Sequence, residues 1–437
     1  MSLNLRNILL FAVMGALLIA VGVIQSANVA LAILNLCLIS AIMTLGVNIQ
    51  WGYAGLFNAG VMGFAALGGL AAVVVSFPPV PEAWSAGGPR AILGVASGAL
   101  AIGLAILTWR KIPGSRRTRG WAAAAVTLAG IILMRFILDP AVEAIEAVEP
   151  AKTGFLGGLG LPIVISWIAG GAFAALAAWG IGKISLGLRS DYLAIATLGI
   201  SEIIIYFLKN EEWMARGVKN VNGLPRPVSY EIDLQQTVWV QELAATFGFS
   251  LVELSSIIVK LSYAGLFIVV LVIVFWLSEK ALKSPWGRMM RAIRDNEVAA
   301  SAMGKDVTWR HLQVFVLGSA VIGLAGAMLT TLDGIFTPAS YQPLRFTFLV
   351  WVMVIVGGSG NNLGSILGGF VIWFFWIEAE PIGLALIEFL TSGMAVDSAL
   401  RLHLIENAAH TRLATMGVVL LLVLRFSPRG LIPERSK

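Results

Sequence analysis

The chain has 437 residues, of which 58% are hydrophobic and 12% charged, with a formal net charge of +6 and a mean hydropathy of +0.88. Soluble domains carry about 25% charged residues, so an ordinary globular enzyme is excluded. Several runs approach the roughly 18–20 apolar residues that cross a bilayer, and the basic residues gather in short loops between them. That is the positive-inside pattern of a multi-pass membrane protein, not a nucleic-acid surface.

Spans are predicted near residues 8–25, 29–47, 56–77, 91–109, 121–138, 161–184, 191–208, 257–277, 313–332, 346–358, 363–377 and 413–426. The first reads as a span and not as a cleaved signal peptide, because no small-residue cleavage site follows it. The single cysteine, Cys37, lies in an apolar run and excludes an intrachain disulfide. The loop 110–119 is strongly basic, whereas 139–149 carries Asp139, Glu143, Glu146 and Glu149. Lys183 and Arg189, the loop 278–312 and the tail 425–437 are basic again. With basic loops inside, the alternation closes only if 346–377 is two short crossings joined at 357–362, which puts both termini in the cytoplasm. Residues 209–256 read as an external loop, turns followed by an irregular cap.

Two stretches interrupt the apolar pattern with glycine and polar residues: GVNIQWGYAGLFNAG at 46–60 and GGSGNNLGSILGG at 357–369. Non-helical backbone at membrane depth is tolerated only where protein or a watery cavity satisfies it. Paired interruptions in the two halves of a transporter point to a substrate path between inverted repeats. Close helix packing through small residues is the other reading of the glycines. On the first reading Asn48, Tyr53, Asn58, Asn361 and Asn362 are candidates for the path. Glu202 joins them as an acidic residue inside an apolar run, where a structural hydrogen bond to a neighbouring helix competes with a transport role.

Familiar catalytic chemistry is missing from the sequence. His311, His403 and His410 are scattered without an HExxH spacing, and there is no cysteine pair and no Walker A loop. No G-x-S-x-G elbow lies between a strand and a helix. No metal site or cofactor is expected in this chain.

Between two apolar runs lies a polar segment, SPWGRMMRAIRDNEVAASAMG, at 284–304. It reads as one short helix: Ser284 can cap its start, Pro285 suits the first position, and Gly304 can end it. Arg288, Arg291 and Arg294 recur on one side, while Met290 and Ile293 give an apolar flank. The segment is too short and too hydrophilic to be a voltage-sensing span. A capped, charged helix between spans is a docking surface for a partner.

Five segments together resemble the permease subunits of branched-chain (hydrophobic) amino acid ABC importers, the LivM type. They are TLGVNIQWGYAGLFNAG at 44–60, LRSDYLAIATLGISEI at 188–203, the 284–304 helix, IVGGSGNNLGSILGG at 355–369 and RFSPRGL at 425–431. The match is poorest over 78–155. The resemblance implies an all-α polytopic membrane protein of about 10–12 transmembrane helices with the inverted-repeat ABC importer permease fold. It implies one transmembrane permease domain over 1–437, with 278–312 as a cytoplasmic coupling loop. It also implies two ATP-binding subunits that hold ATP and Mg, a second homologous permease, an external solute-binding protein, and residence in a bacterial inner membrane. Arg288, Arg291, Arg294, Asp295, Asn296, Glu297, Ala299, Ala300 and Gly304 would form the coupling surface. Val298 stands where the family's EAA loop usually has glutamate, and Glu297 stands one residue earlier. Val61 stands where many relatives have histidine. Two alternatives stay open: an ABC permease for urea or short amides, and an ion-driven secondary transporter.

Overall fold

The structure is a computed structural model that describes residues 5–113, 115–188, 190–394 and 398–434. Gly114 and Arg189 of the basic loops and Arg435, Ser436 and Lys437 of the tail lie outside the described residues. The first seven helices are α1 (Leu5–Ile24), α2 (Ala27–Ala54), α3 (Val61–Ser76), α4 (Pro81–Lys111), α5 (Arg116–Glu146), α6 (Ile163–Ser185) and α7 (Ser190–Asn210). Short helices α8 (Glu212–Ala215), α9 (Glu231–Gln235) and α10 (Val238–Phe247) lead to α11 (Leu251–Lys283), then α12 (Pro285–Asp295) and α13 (Glu297–Ala302). The chain finishes with α14 (Val307–Asp333), α15 (Pro343–Gly357), α16 (Asn362–Leu390), α17 (Ala399–Glu406) and α18 (Thr411–Phe426). Among the described residues, ten helices are long and apolar enough to cross a membrane, and α3 and α15 are shorter apolar ones.

Burial separates a centre from a periphery. In α2, 67% of the apolar window is buried, and in α14 61%, against 11% in α4 and in α5. The centre is drawn together by missing side chains. A methyl placed on Gly68 would sit 1.8 Å from the Gly323 carbonyl oxygen, and one on Gly326 would sit 2.0 Å from that of Ala65. These glycines let α3 and α14 approach backbone to backbone, as small residues do where helices associate without a hydrophobic driving force. By contrast, α4 and α5 pack chiefly on each other as a hairpin, with Gly130 against Ala101 and Gly94 against Leu138.

Three expectations from the sequence are corrected. The first interruption does not begin at Gly46, because α2 continues to Ala54 and Gly46 packs against the Gly318 carbonyl oxygen. The break is confined to 55–60, opened by Gly55 at φ +69°, a left-handed conformation that favours glycine. The polar segment is two helices, not one. Asn296 is extended (φ −156°, ψ 97°) and caps α13 by accepting from the Ala299 N–H at 2.9 Å, so it stops α12 and starts α13. The loop 209–256 is not an irregular cap after its turns. It carries α9 and α10, and Val221–Asn222 (β1) pairs antiparallel with Ile335–Phe336 (β2).

The two interruptions meet at one end of the bundle. Both α2 and α15 run towards the end that carries α12, break there, and hand over to α3 and α16 returning the other way. The tail reaches the same end: Leu431 N–H donates to the Val356 oxygen at 2.8 Å and Ile432 N–H to that of Gly357 at 2.9 Å. The opposite end is built by α8, the β1–β2 pair and residues 337–341.

Candidate functional site

Helix α12 is fastened to the bundle along one side. Ser284 caps it by accepting from the Gly287 N–H at 3.3 Å, and Pro285 occupies its first turn. Met290 and Ile293 are buried beneath it. Arg294, expected on the docking face, is turned inward and half-buried: it donates to the Gly52 carbonyl oxygen at the end of α2 and pairs with Glu434 of the tail at 2.9 Å. Arg288 is exposed and donates to the Lys283 carbonyl oxygen at 3.1 Å, and Arg291 is half-buried. Asp295, Asn296, Glu297 and Ala299 are exposed, Ala300 is half-buried, and Gly304 (φ +77°) turns the chain after α13. The segment therefore presents Val298 (80% exposed) and Met303 (79% exposed), two apolar side chains on a polar surface.

Directly behind Arg294 the candidate path residues close into a buried network. The Asn48 amide donates to Asn362 Oδ1 at 3.0 Å, and Asn48 Oδ1 accepts from the Gly360 N–H at 2.8 Å. Tyr53 OH donates to the same Asn362 oxygen, and the Asn362 amide donates to Glu279 at 3.1 Å. Glu279 is in turn paired with Lys283 at 2.8 Å. Asn361 caps α16, accepting from the Leu363 N–H at 3.0 Å, and donates to the Pro433 oxygen at 3.1 Å. One step further in, Asn58 donates to Gln50 at 2.9 Å, and Gln50 donates to the Phe315 oxygen and to Ser319, each at 3.0 Å. Trp351 donates to the Asn58 carbonyl oxygen at 2.9 Å, so the non-helical backbone of 55–60 is satisfied by protein.

Asn48, Asn58 and Asn362 are each 0% exposed. In this conformation the network fills the α12 end of the bundle and leaves no open passage through these side chains. The geometry does not bring Glu202 to it: Glu202 lies on the exposed face of α7 and has no hydrogen bond or ion pair among the described residues. The sequence reading ended a span at 377 and so missed Glu378, a carboxylate buried in α16 that accepts from Gln25 at 2.7 Å. A buried acid held by a glutamine amide gives no signal beyond an acidic residue at the edge of an apolar run.

Beyond the network, toward the opposite end, is a cavity of about 420 Å³ between α2, α3, α14, α15 and α16. Its walls are mostly apolar, with Ile39, Met43, Met62 and Val350 among them, and its rim is formed by 333–341. Tyr341 shares a 2.7 Å hydrogen bond with Thr330, and burial pushes its phenol well above the ordinary range, so it stays protonated. Among the described residues no cluster of His, Cys, Asp and Glu could hold a metal ion.

A mostly apolar cavity, a buried polar network and a braced surface helix thus lie along one bundle. A family model for the permease component of branched-chain amino acid transport systems matches residues 114–424. The chain belongs to this permease family. The match includes three of the five resembling segments, while 44–60 precedes it and 425–431 follows it. The high-affinity branched-chain amino acid transport permease LivM of Escherichia coli K12 is 28% identical over 206 residues, 46% of this chain and 47% of that protein. LivM of Salmonella typhimurium is 28% identical over 201 residues, 45% of this chain and 46% of that protein. The xylose transport permease XylH of E. coli K12 is 23% identical over 297 residues, 62% of this chain and 60% of that protein. The permease thus spans about half the length of the LivM relatives it matches. No solved structure matches the chain significantly.

Proposed function

We propose that this permease works in an ATP-driven importer of branched-chain amino acids, with α12 and α13 docking on a separate ATP-binding subunit. The observation that carries this reading is the braced helix pair. Met290, Ile293 and Arg294 tie α12 to the bundle while Val298 and Met303 stand free. A partner that grips Val298 and Met303 moves α12, and through Arg294 it pulls on the end of α2, the tail and the Asn48–Asn362 network. Such a lever biases a two-state element, which is what coupling requires. The rest of the assembly is two ATP-binding subunits carrying ATP and Mg, a second permease and an external solute-binding protein. With the basic loops inside, α12 and both termini face the cytoplasm of a bacterial cell. The sparse charge in the centre of the bundle and the mostly apolar cavity disfavour an ion-driven carrier, and they suit an aliphatic cargo better than urea or a sugar.

The test is uptake of labelled leucine by the assembled complex in proteoliposomes. Val298→Asp should leave assembly of the bundle intact and lower ATP-driven uptake by about tenfold or more, equivalent to roughly 1.4 kcal/mol of lost docking. Unchanged uptake, or competition by urea or xylose in place of leucine, would overturn the proposal.

A further inference from the structure

Granting the permease reading, the outer cavity contains features that function as a conduit does not use. Among the described residues lining it, only Asp333 carries a charge, and its carboxylate has no hydrogen bond or ion pair. Asp333 is also the last residue of the 27-residue α14, where the negative end of the helix dipole favours a cation. Ser40, the fourteenth residue of α2, faces the same space. Its hydroxyl makes no hydrogen bond among the described residues, although a mid-helix serine ordinarily bonds back to a carbonyl one turn earlier. Thr337 and Ser340 at the rim likewise have hydroxyls without hydrogen bonds among the described residues. The remaining wall combines Leu36, Ile39, Met43, Met62 and Val350 with the rings of Tyr341, Phe346 and Trp373.

We propose that this cavity is a holding site for the transported amino acid inside this one subunit, in which Asp333 receives the ammonium group and the α2–α3–α15 wall receives the branched side chain. Ser40 supplies a second polar contact deeper in, and the substrate carboxylate lies toward the hydroxyls of Thr337 and Ser340. The cavity volume of about 420 Å³ falls within the roughly 300–1,000 Å³ of small-molecule sites. A sugar would bring several hydroxyls to a wall with few partners for them, and buried polar groups left unpaired are strongly rejected. One exposed, unpaired carboxylate at the mouth of a mostly apolar cavity is instead the complement of one ammonium on an aliphatic chain. This inference rests on the reading of the chain as an amino acid permease.

The test uses the full complex in membranes, with Cys37→Ala removing the native thiol and Ser40→Cys placing a reporter in the wall. Modification by 2-aminoethyl methanethiosulfonate is timed without ATP, with leucine, isoamylamine or 4-methylpentanoate as protectants. Leucine and isoamylamine, which carry the ammonium, should slow modification, and 4-methylpentanoate should not. Asp333→Asn should raise the leucine concentration needed for protection by about tenfold or more, as loss of a charge-assisted hydrogen bond does. Should Ser40→Cys fail to assemble, Met43→Cys reports from the same wall. Equal protection in Asp333→Asn, or protection by 4-methylpentanoate as strong as by leucine, overturns the role of Asp333. No protection by leucine at either reporter overturns the holding site. Because no ATP is present, these outcomes are independent of whether α12 couples to an ATPase. Protection by xylose or urea but not leucine would instead overturn the amino acid reading itself.

Discussion

Replacing Asn362 with alanine tests whether the buried network is built as described. Asn362 is fully buried, and its oxygen serves two donors, the Asn48 amide at 3.0 Å and the Tyr53 hydroxyl. Asn362→Ala leaves both without an acceptor, and a buried polar group left unmade costs about 1–3 kcal/mol, so the closed bundle should lose about 2–6 kcal/mol. Tyr53→Phe alone removes one donor and leaves an acceptor that still holds Asn48, a loss of about 0.5–1.5 kcal/mol. In the Tyr53→Phe background Asn362→Ala has one orphan fewer to create, so its cost should fall by about 1–3 kcal/mol. The assay is unfolding in mixed dodecyl maltoside and SDS micelles, followed by circular dichroism for the four members of the cycle. Additivity to within about 0.5 kcal/mol would mean the two residues do not share a hydrogen bond, and the network as drawn would be wrong.

Other outcomes follow from the same contacts. Gly326→Ala should destabilise the bundle by at least about 1–3 kcal/mol, because its methyl would meet the Ala65 carbonyl oxygen, whereas Gly265→Ala, with open space around it, should be neutral or gain up to about 1 kcal/mol. Equal melting of the two would refute the close approach of α3 and α14. Arg294→Gln should loosen the tail from α12, and trypsin should cut within 425–434 about fivefold faster, a change equivalent to about 1 kcal/mol. Unchanged cleavage would mean that Arg294 does not brace the tail. Glu378→Gln keeps an acceptor for the Gln25 amide and should cost less than Glu378→Leu, which removes it, and equal melting midpoints would mean that the contact adds no stability.

Much of the fold was legible because membrane spans announce themselves by length and composition. The hinge at 357–362 was legible from the glycine-rich interruption together with charge alternation, and the structure ends α15 at Gly357 and starts α16 at Asn362. Ser284 and Pro285 do start α12, because a cap is a local event. The errors arose where a residue's role depends on a distant partner. Gly46 looks like a break in sequence, yet it is a contact, and only Gly318 opposite it says so. Asn296 sits among good helix formers, and its use as a cap for α13 is invisible without the backbone turn. Arg294 matches Arg288 and Arg291 in spacing, but helix rotation turns it inward toward Gly52 and Glu434. The cavity was not foreseeable, since Ser40, Met62, Asp333 and Val350 come together from four helices.

The central claim, that α12 and α13 are the handle by which a separate ATPase works this permease, is tested most directly by gentle solubilisation of native membranes and purification through this chain. Mass spectrometry should then find ATP-binding subunits and a second permease, and Val298→Asp should release the ATP-binding subunits while the second permease stays. Recovery of the chain alone after mild crosslinking, with leucine uptake that survives ATP depletion and stops with a proton uncoupler, would contradict it.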